Sequence, residues 1–197
     1  MTATTMLEKE IVLKLFKEFS VDYNPSTISK KIYKTREGAF KALKDLEKDT
    51  IVEGKNFGKA RFYKINYDNE YALKNVETLL MEEAKPYQRW KDELKELFKY
   101  VDIALVFGSF IKNPKTANDI DLLLIYNKRY DKQVNQIIKE KNKILMKRIH
   151  PIKQTANDFK VNIKKKDKVL LNAVKEGIVL HGYGQYAELI KDVASRK

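Results

Sequence analysis

The sequence contains no cysteine. Disulfides, zinc-thiolate sites and thiol nucleophiles are therefore excluded, and any metal must rest on carboxylates, histidine or water. Long apolar runs are missing too. Ile103 to Phe107 and Leu122 to Tyr126 are among the longest, and both fall far short of the roughly 18 residues that a membrane helix needs. No membrane partner is expected. The opening residues, MTATTMLEKEIV, put Glu8, Lys9 and Glu10 where a signal peptide would carry apolar side chains. Together these absences describe a cytoplasmic protein. No internal repeat or low-complexity segment is present either. What is there suffices for a core: 43% of the 197 residues are hydrophobic, enough for one large domain or two compact ones.

The net charge is +13, and its distribution says more than its sum. Residues 1–84 carry 15 basic and 14 acidic groups, whereas residues 85–197 carry 25 and 13. The second half therefore holds the excess. It calls either for a polyanionic partner, nucleic acid or nucleotide phosphate, or for a merely solvated lysine-rich surface.

The first half reads as helices followed by a hairpin. Ile11, Val12, Leu15, Phe16 and Phe19 recur at helical spacing over residues 7–19. Asn24 before Pro25 signals the start of a second helix running to about Tyr33, because the Asn side chain caps free amides and Pro loses no needed donor there. Thr35 can cap a third helix in which Ala39, Phe40, Leu43 and Leu46 line one face. The stretch IVEGKNFGKARFYKIN, residues 51–66, forms two strand-like pieces around a tip at Lys55 to Lys59. This order of elements resembles the winged helix-turn-helix family. The resemblance implies DNA as a partner, with the third helix in a major groove and the wing over phosphates. It would set Arg36, Lys41 and Lys44 toward bases or backbone, and Lys55, Lys59 and Arg61 toward flanking phosphates. The near-neutral charge of this half implies a small counterion-release contribution.

Residues 68–99 contain no glycine and one proline, Pro86. Leu73, Val76, Leu79 and Leu80, then Trp90, Leu94, Leu97 and Phe98, recur helically, so Pro86 should divide two helices. The first is a candidate to pair with its twin in a homodimer, and the second to cover the next domain's sheet.

Residues 101–126, VDIALVFGSFIKNPKTANDIDLLLIY, are the most informative of the chain. An apolar run stops at Gly108, and a second is interrupted only by Asp121. Asp119 and Asp121 are two apart, so on a strand both carboxylates face one side, with their alpha carbons roughly 7 Å apart. Two such charges repel unless a cation lies between them. Mg²⁺ takes hard oxygen ligands, commonly one or two carboxylates completed by substrate phosphates and water. The Gly108-Ser109 turn offers the complementary anion site: glycine allows close backbone approach, and amides with the Ser hydroxyl can hold phosphate oxygens.

Gly-Ser, nine residues, then Asp-x-Asp opening a hydrophobic strand resembles the signature of the polymerase-beta-like nucleotidyltransferases, and most of all the minimal members from bacteria and archaea. The resemblance runs from about Tyr100 to Leu180. It takes in an amphipathic helix with Tyr130, Val134, Ile137, Ile138 and Leu145, a third strand near Ile149 to Ile152, and a closing segment at Glu176 to Gly182. It implies that Ser109 contacts nucleotide phosphates and that Asp119 and Asp121 bind Mg²⁺ or Mn²⁺. The implied substrate is a nucleoside triphosphate, ATP foremost.

One element of the family pattern is not matched. Members carry a third acid on the third strand, which here reads KRIHPIKQ, and no acid stands between Glu140 and Asp158. His150 takes the corresponding place. It could accept a proton from an attacking hydroxyl, Asp158 could reach in from the next segment, or His150 could be a structural residue.

The expected fold class is thus α+β: a winged helix-turn-helix domain over 1–67, a helical connector over 68–99, and an α/β nucleotidyltransferase domain with a mixed sheet over 100–197. Three functions fit. One is transfer of a nucleoside monophosphate to a hydroxyl on a protein, nucleic acid or small molecule. Another is a DNA-binding regulator whose degenerate transferase domain only senses nucleotide. The third is an antitoxin-like protein that modifies or masks a toxin partner.

Overall fold

A computed structural model describes residues 5–114 and 116–194. The outermost parts of the expected first and last domains, 1–4 and 195–197, lie outside the described residues. The chain divides into two compact units, one built on the residues up to Leu79 and one on Leu80–Val193.

The first unit starts with α1 (Met6–Lys17), where Thr5 and Glu8 form a reciprocal capping box. Its stripe of Ile11, Val12, Leu15 and Phe16 is buried. In α2 (Pro25–Lys31) the Asn24 side chain accepts from the amides of Ser26 and Thr27. This helix stops short of the expected end at Tyr33, which turns to a positive φ of 55°. In α3 (Arg36–Lys48) the Thr35 hydroxyl accepts from the Gly38 amide at 3.1 Å.

The buried residues of α3 are Ala39, Ala42, Leu43 and Leu46. Phe40, expected on that face, is 50% exposed. The buried set keeps the i, i+3, i+4, i+7 spacing of one stripe, and Phe40 stands about 100° round the helix from Ala39. It shares a flank with Arg36 and Lys44, four residues to either side. Strands β1 (Val52–Phe57) and β2 (Ala60–Ile65) pair antiparallel, closed by Phe57 against Ala60. Only Gly58 and Lys59 turn the chain, a tighter tip than Lys55 to Lys59, and Gly58 has a φ of +58°. Glycine meets that requirement of a two-residue hairpin without strain.

The division between the units falls within α4 (Glu70–Glu83). Pro86 lies in a short turn, Lys85–Tyr87, and α5 (Gln88–Leu94) follows. The break is expected where Pro lacks the amide that would continue the helix.

The second unit is a four-stranded mixed sheet built from β3 (Ile103–Phe107), β4 (Asp119–Ile125), β5 (Arg148–Gln154) and β6 (Ile178–His181), in the order β5-β4-β3-β6. β3 pairs antiparallel with β4 and β6, while β4 and β5 are parallel. A short helix, α6 (Ser109–Lys112), leads out of β3, and α7 (Asp131–Ile144) makes the crossover that a parallel pair requires. Helices α8 (Ala156–Lys164), α9 (Lys168–Glu176) and α10 (Tyr183–Ala194) complete the fold, with α8 packing on β5 and α9 on β3.

Alternation sorts β4 between two sides. Ile120, Leu122 and Leu124 enter a core with Val134 and Ile138 of α7, Leu94 of α5, and Leu97. Trp90 covers this core edge-on against Phe110, ring centroids 4.9 Å apart. By the period of two, Asp119 and Asp121 belong to the other face. They sit at the end of the sheet where β3 stops and β4 and β5 begin. Among the described residues no helix is long and apolar enough to cross a membrane.

Candidate active site

Strand pairing assembles the site. Asp121 lies opposite Phe107, the last residue of β3, so the turn after β3 falls against the start of β4. Gly108 in that turn has a φ of +78°, a conformation open to glycine and strained for other residues. A Cβ on Gly108 would lie 2.1 Å from Oδ2 of Asp121. The carboxylate therefore rests directly over the turn, and glycine is the residue that leaves room for it. Ser109, the next residue, is exposed at the same edge.

On the other side, β4 and β5 run parallel with Asp121 paired to His150 and Asp119 to Arg148. In-register residues of neighbouring strands share a face. The Asp119, Asp121 and His150 side chains each offer a ligand atom, and these atoms all lie within 4.8 Å of one another. Nδ1 of His150 is 3.1 Å from Oδ2 of Asp119. Burial raises the Asp121 pKa above the ordinary carboxylate value, and the neighbouring Asp119 charge adds to this, while His150 opposes it.

Two carboxylates together on a half-buried edge are of the ligand type that a hard divalent cation takes, so these residues could hold one. Ligands held about 2.1–2.2 Å from one ion stand roughly 3–4.4 Å apart. A spread of 4.8 Å is thus closed by side-chain adjustment alone.

Asp158 is committed elsewhere. With Thr155 it forms the capping box of α8, and it faces Lys128 at 3.5 Å. Hydrogen bonds from the Thr155 hydroxyl and amide hold its pKa below the usual carboxylate value. Arg148, two positions before His150, stands opposite Asp119 and so on the same face of the sheet, a placement not expected from the sequence. Its signal was the parallel register, which the run KRIHPIKQ does not reveal by itself.

The cationic residues of the first unit do not all converge. Arg36, Lys44, Lys59 and Arg61 line one cavity of about 620 Å³ with Asn24, Ser26 and Phe40. Arg61 within it donates to Glu47 and to Asn56. Lys55 lines a separate cavity of about 370 Å³ with Asp22, Glu53 and Lys64. Lys41 is exposed and lines neither.

A mixed sheet that gathers two carboxylates beside a glycine-serine turn fits the class of domains that transfer nucleotidyl groups. Residues 89–183, just under half of the chain, match the family model described as polymerase beta, nucleotidyltransferase. The match begins earlier than Tyr100, within α5, and ends just past Gly182. Comparison with curated proteins and with solved structures gave no match.

Proposed function

We propose that the second unit transfers a nucleoside monophosphate from a nucleoside triphosphate, ATP foremost, to a hydroxyl acceptor. The observation that carries this is the joining of Asp119 and Asp121 to the Gly108-Ser109 turn at one sheet edge.

In this reading Asp119 and Asp121 hold Mg²⁺ or Mn²⁺, and their alternation on one strand presents two oxygen ligands on the same face, which a small side-chain adjustment brings to one ion. The bound ion supplies charge neutralisation on the phosphoryl and leaving oxygens. The turn amides and the Ser109 hydroxyl orient the triphosphate, and Gly108 lets its phosphates approach the backbone closely. The acceptor oxygen forms a bond to the α phosphorus. The bond from that phosphorus to the oxygen bridging to the β phosphate breaks, and its electron pair leaves on pyrophosphate. The hydroxyl proton is lost to a base.

The test is incubation with α-labelled ATP, a divalent ion and candidate protein, nucleic-acid and small-molecule acceptors. Labelled product should form with the wild type and not with Asp119→Ala. Equal labelling by the two proteins would end the proposal.

The first unit, in the same reading, is a winged helix that brings the transferase to DNA. Support comes from the order of three helices and a hairpin, and from Arg36, Lys44 and Lys59 around one cavity. The histidine at the expected place of the third acid favours a second reading, in which the transferase site only senses nucleotide and regulates DNA binding. That version predicts operator affinity that changes with millimolar ATP, and an unchanged affinity would remove it.

A further inference from the structure

We propose that His150 is itself a metal ligand, so that this site holds its ion with two carboxylates and one imidazole and favours Mn²⁺ over Mg²⁺. The inference rests on the reading that Asp119 and Asp121 bind a divalent cation. It goes further by assigning the third ligand and the class of ion.

Three observations converge on it. The parallel register puts His150 opposite Asp121 and on the same face. Its Nδ1 stands 3.1 Å from Oδ2 of Asp119, the spacing of two adjacent ligands on one ion. The ring is 58% exposed, so its position is not dictated by packing into a core. No further acid joins the group among the described residues, since Asp158 is taken up by the α8 cap and Lys128.

Ion selectivity follows from the donor chemistry. Mg²⁺ is bound by oxygen and is slow to give up its water, whereas Mn²⁺ and the later divalent ions accept imidazole nitrogen more readily. Exchanging a third carboxylate for a neutral imidazole also takes one negative charge from the site. The lost charge weakens both ions alike, so the preference for Mn²⁺ comes from the nitrogen donor. A ring nitrogen turned toward the Asp119 oxygen is placed to bind the ion that Asp119 binds.

The test uses the full chain stripped of metal and titrated with Mn²⁺ and with Mg²⁺, followed by pulsed electron paramagnetic resonance of the Mn²⁺ form. Nitrogen modulation from a directly bound imidazole is expected in the wild type and not in His150→Asp. The chain has two histidines, and the variant separates His150 from His181. His150→Asp should also lower the preference for Mn²⁺ over Mg²⁺ by at least about tenfold, the low end of what even outer-shell changes cost.

Mn²⁺ bound by the wild type without nitrogen modulation, at an ion preference unchanged in His150→Asp, would overturn the ligand assignment and leave the two-aspartate reading standing. Failure of the wild type to bind either ion, or undiminished binding by a combined Asp119→Asn, Asp121→Asn variant, would overturn both.

Discussion

The carboxylate of Asp121 occupies the space that any side chain at Gly108 would need, with Oδ2 placed 2.1 Å from where a Cβ would stand. Two strands meet at this point, and the residue without a side chain lets the acid of one lie over the turn of the other. Gly108→Ala should therefore act twice. The positive φ of +78° costs an alanine about 1–3 kcal/mol, and the methyl group pushes the Asp121 carboxylate off the turn. Thermal unfolding should show the moderate loss, and titration with nucleotide and divalent ion should show binding lost. Full nucleotide affinity in a correctly folded Gly108→Ala protein would contradict the assignment of this turn.

Asp121→Asn should separate stability from function. In the absence of metal, burial and the Asp119 charge raise the Asp121 pKa. A raised carboxylate pKa favours the fold fully below the unfolded value, and that contribution is lost as pH rises through the folded value. At neutral pH the charge therefore opposes folding. The asparagine should hold or raise the metal-free melting temperature, while metal-dependent nucleotide binding falls. A stability loss equal to that of a core substitution would argue against a strained pair.

His181 should give the second unit an acid-sensitive stability. Its ring stacks on Phe98, centroids 4.6 Å apart and 5° between planes. Burial lowers its pKa below the ordinary histidine value, against smaller opposing effects of a Val101 backbone hydrogen bond and the Asp102 charge. The folded state thus favours the neutral ring. This stability is present above the unfolded pKa and is lost as pH falls through the lowered folded value. His181→Phe should flatten the dependence, read as the difference in urea midpoint between pH 7.5 and pH 5. Identical pH slopes for the two proteins would remove the argument.

The first unit ranks its own cations. If it binds duplex DNA through the cavity flanked by α3 and the hairpin, then Arg36→Ala, Lys44→Ala and Lys59→Ala should each reduce the salt slope of binding by about 1. Lys41→Ala should leave it nearly unchanged, since Lys41 lies away from that cavity. Arg61 is tied to Glu47, so its loss should weaken binding less than that of Lys44. Fluorescence anisotropy across a potassium chloride series reads all five. Equal effects from Lys41 and Lys44 would mean that DNA, if bound, uses another face.

Local patterns carried much of this. Asn24 before Pro25 and Thr35 before α3 were readable as caps because a cap is satisfied within three residues of itself. The strands through Ile103 and Leu122 were readable because their apolar runs are longer than a turn tolerates and shorter than a helix needs. Phe40 was misplaced because an aromatic beside a buried stripe can turn either way. Here Ala42 takes the stripe position and leaves Phe40 beside Arg36 and Lys44.

Asp119 and Asp121 were bound to face the same way as soon as they lay on one strand, since alternation is a property of a single extended chain and needs no partner. The place of His150 was of another kind. It depends on β5 lying parallel to β4 in one register and not the next, and a slip by a single residue would have sent the imidazole to the opposite face. That register is held by Ile149 buried in the core with Ile120 and Leu122, and by the crossover through α7. Contacts between residues nearly thirty positions apart decide it, and no window of neighbouring residues contains them.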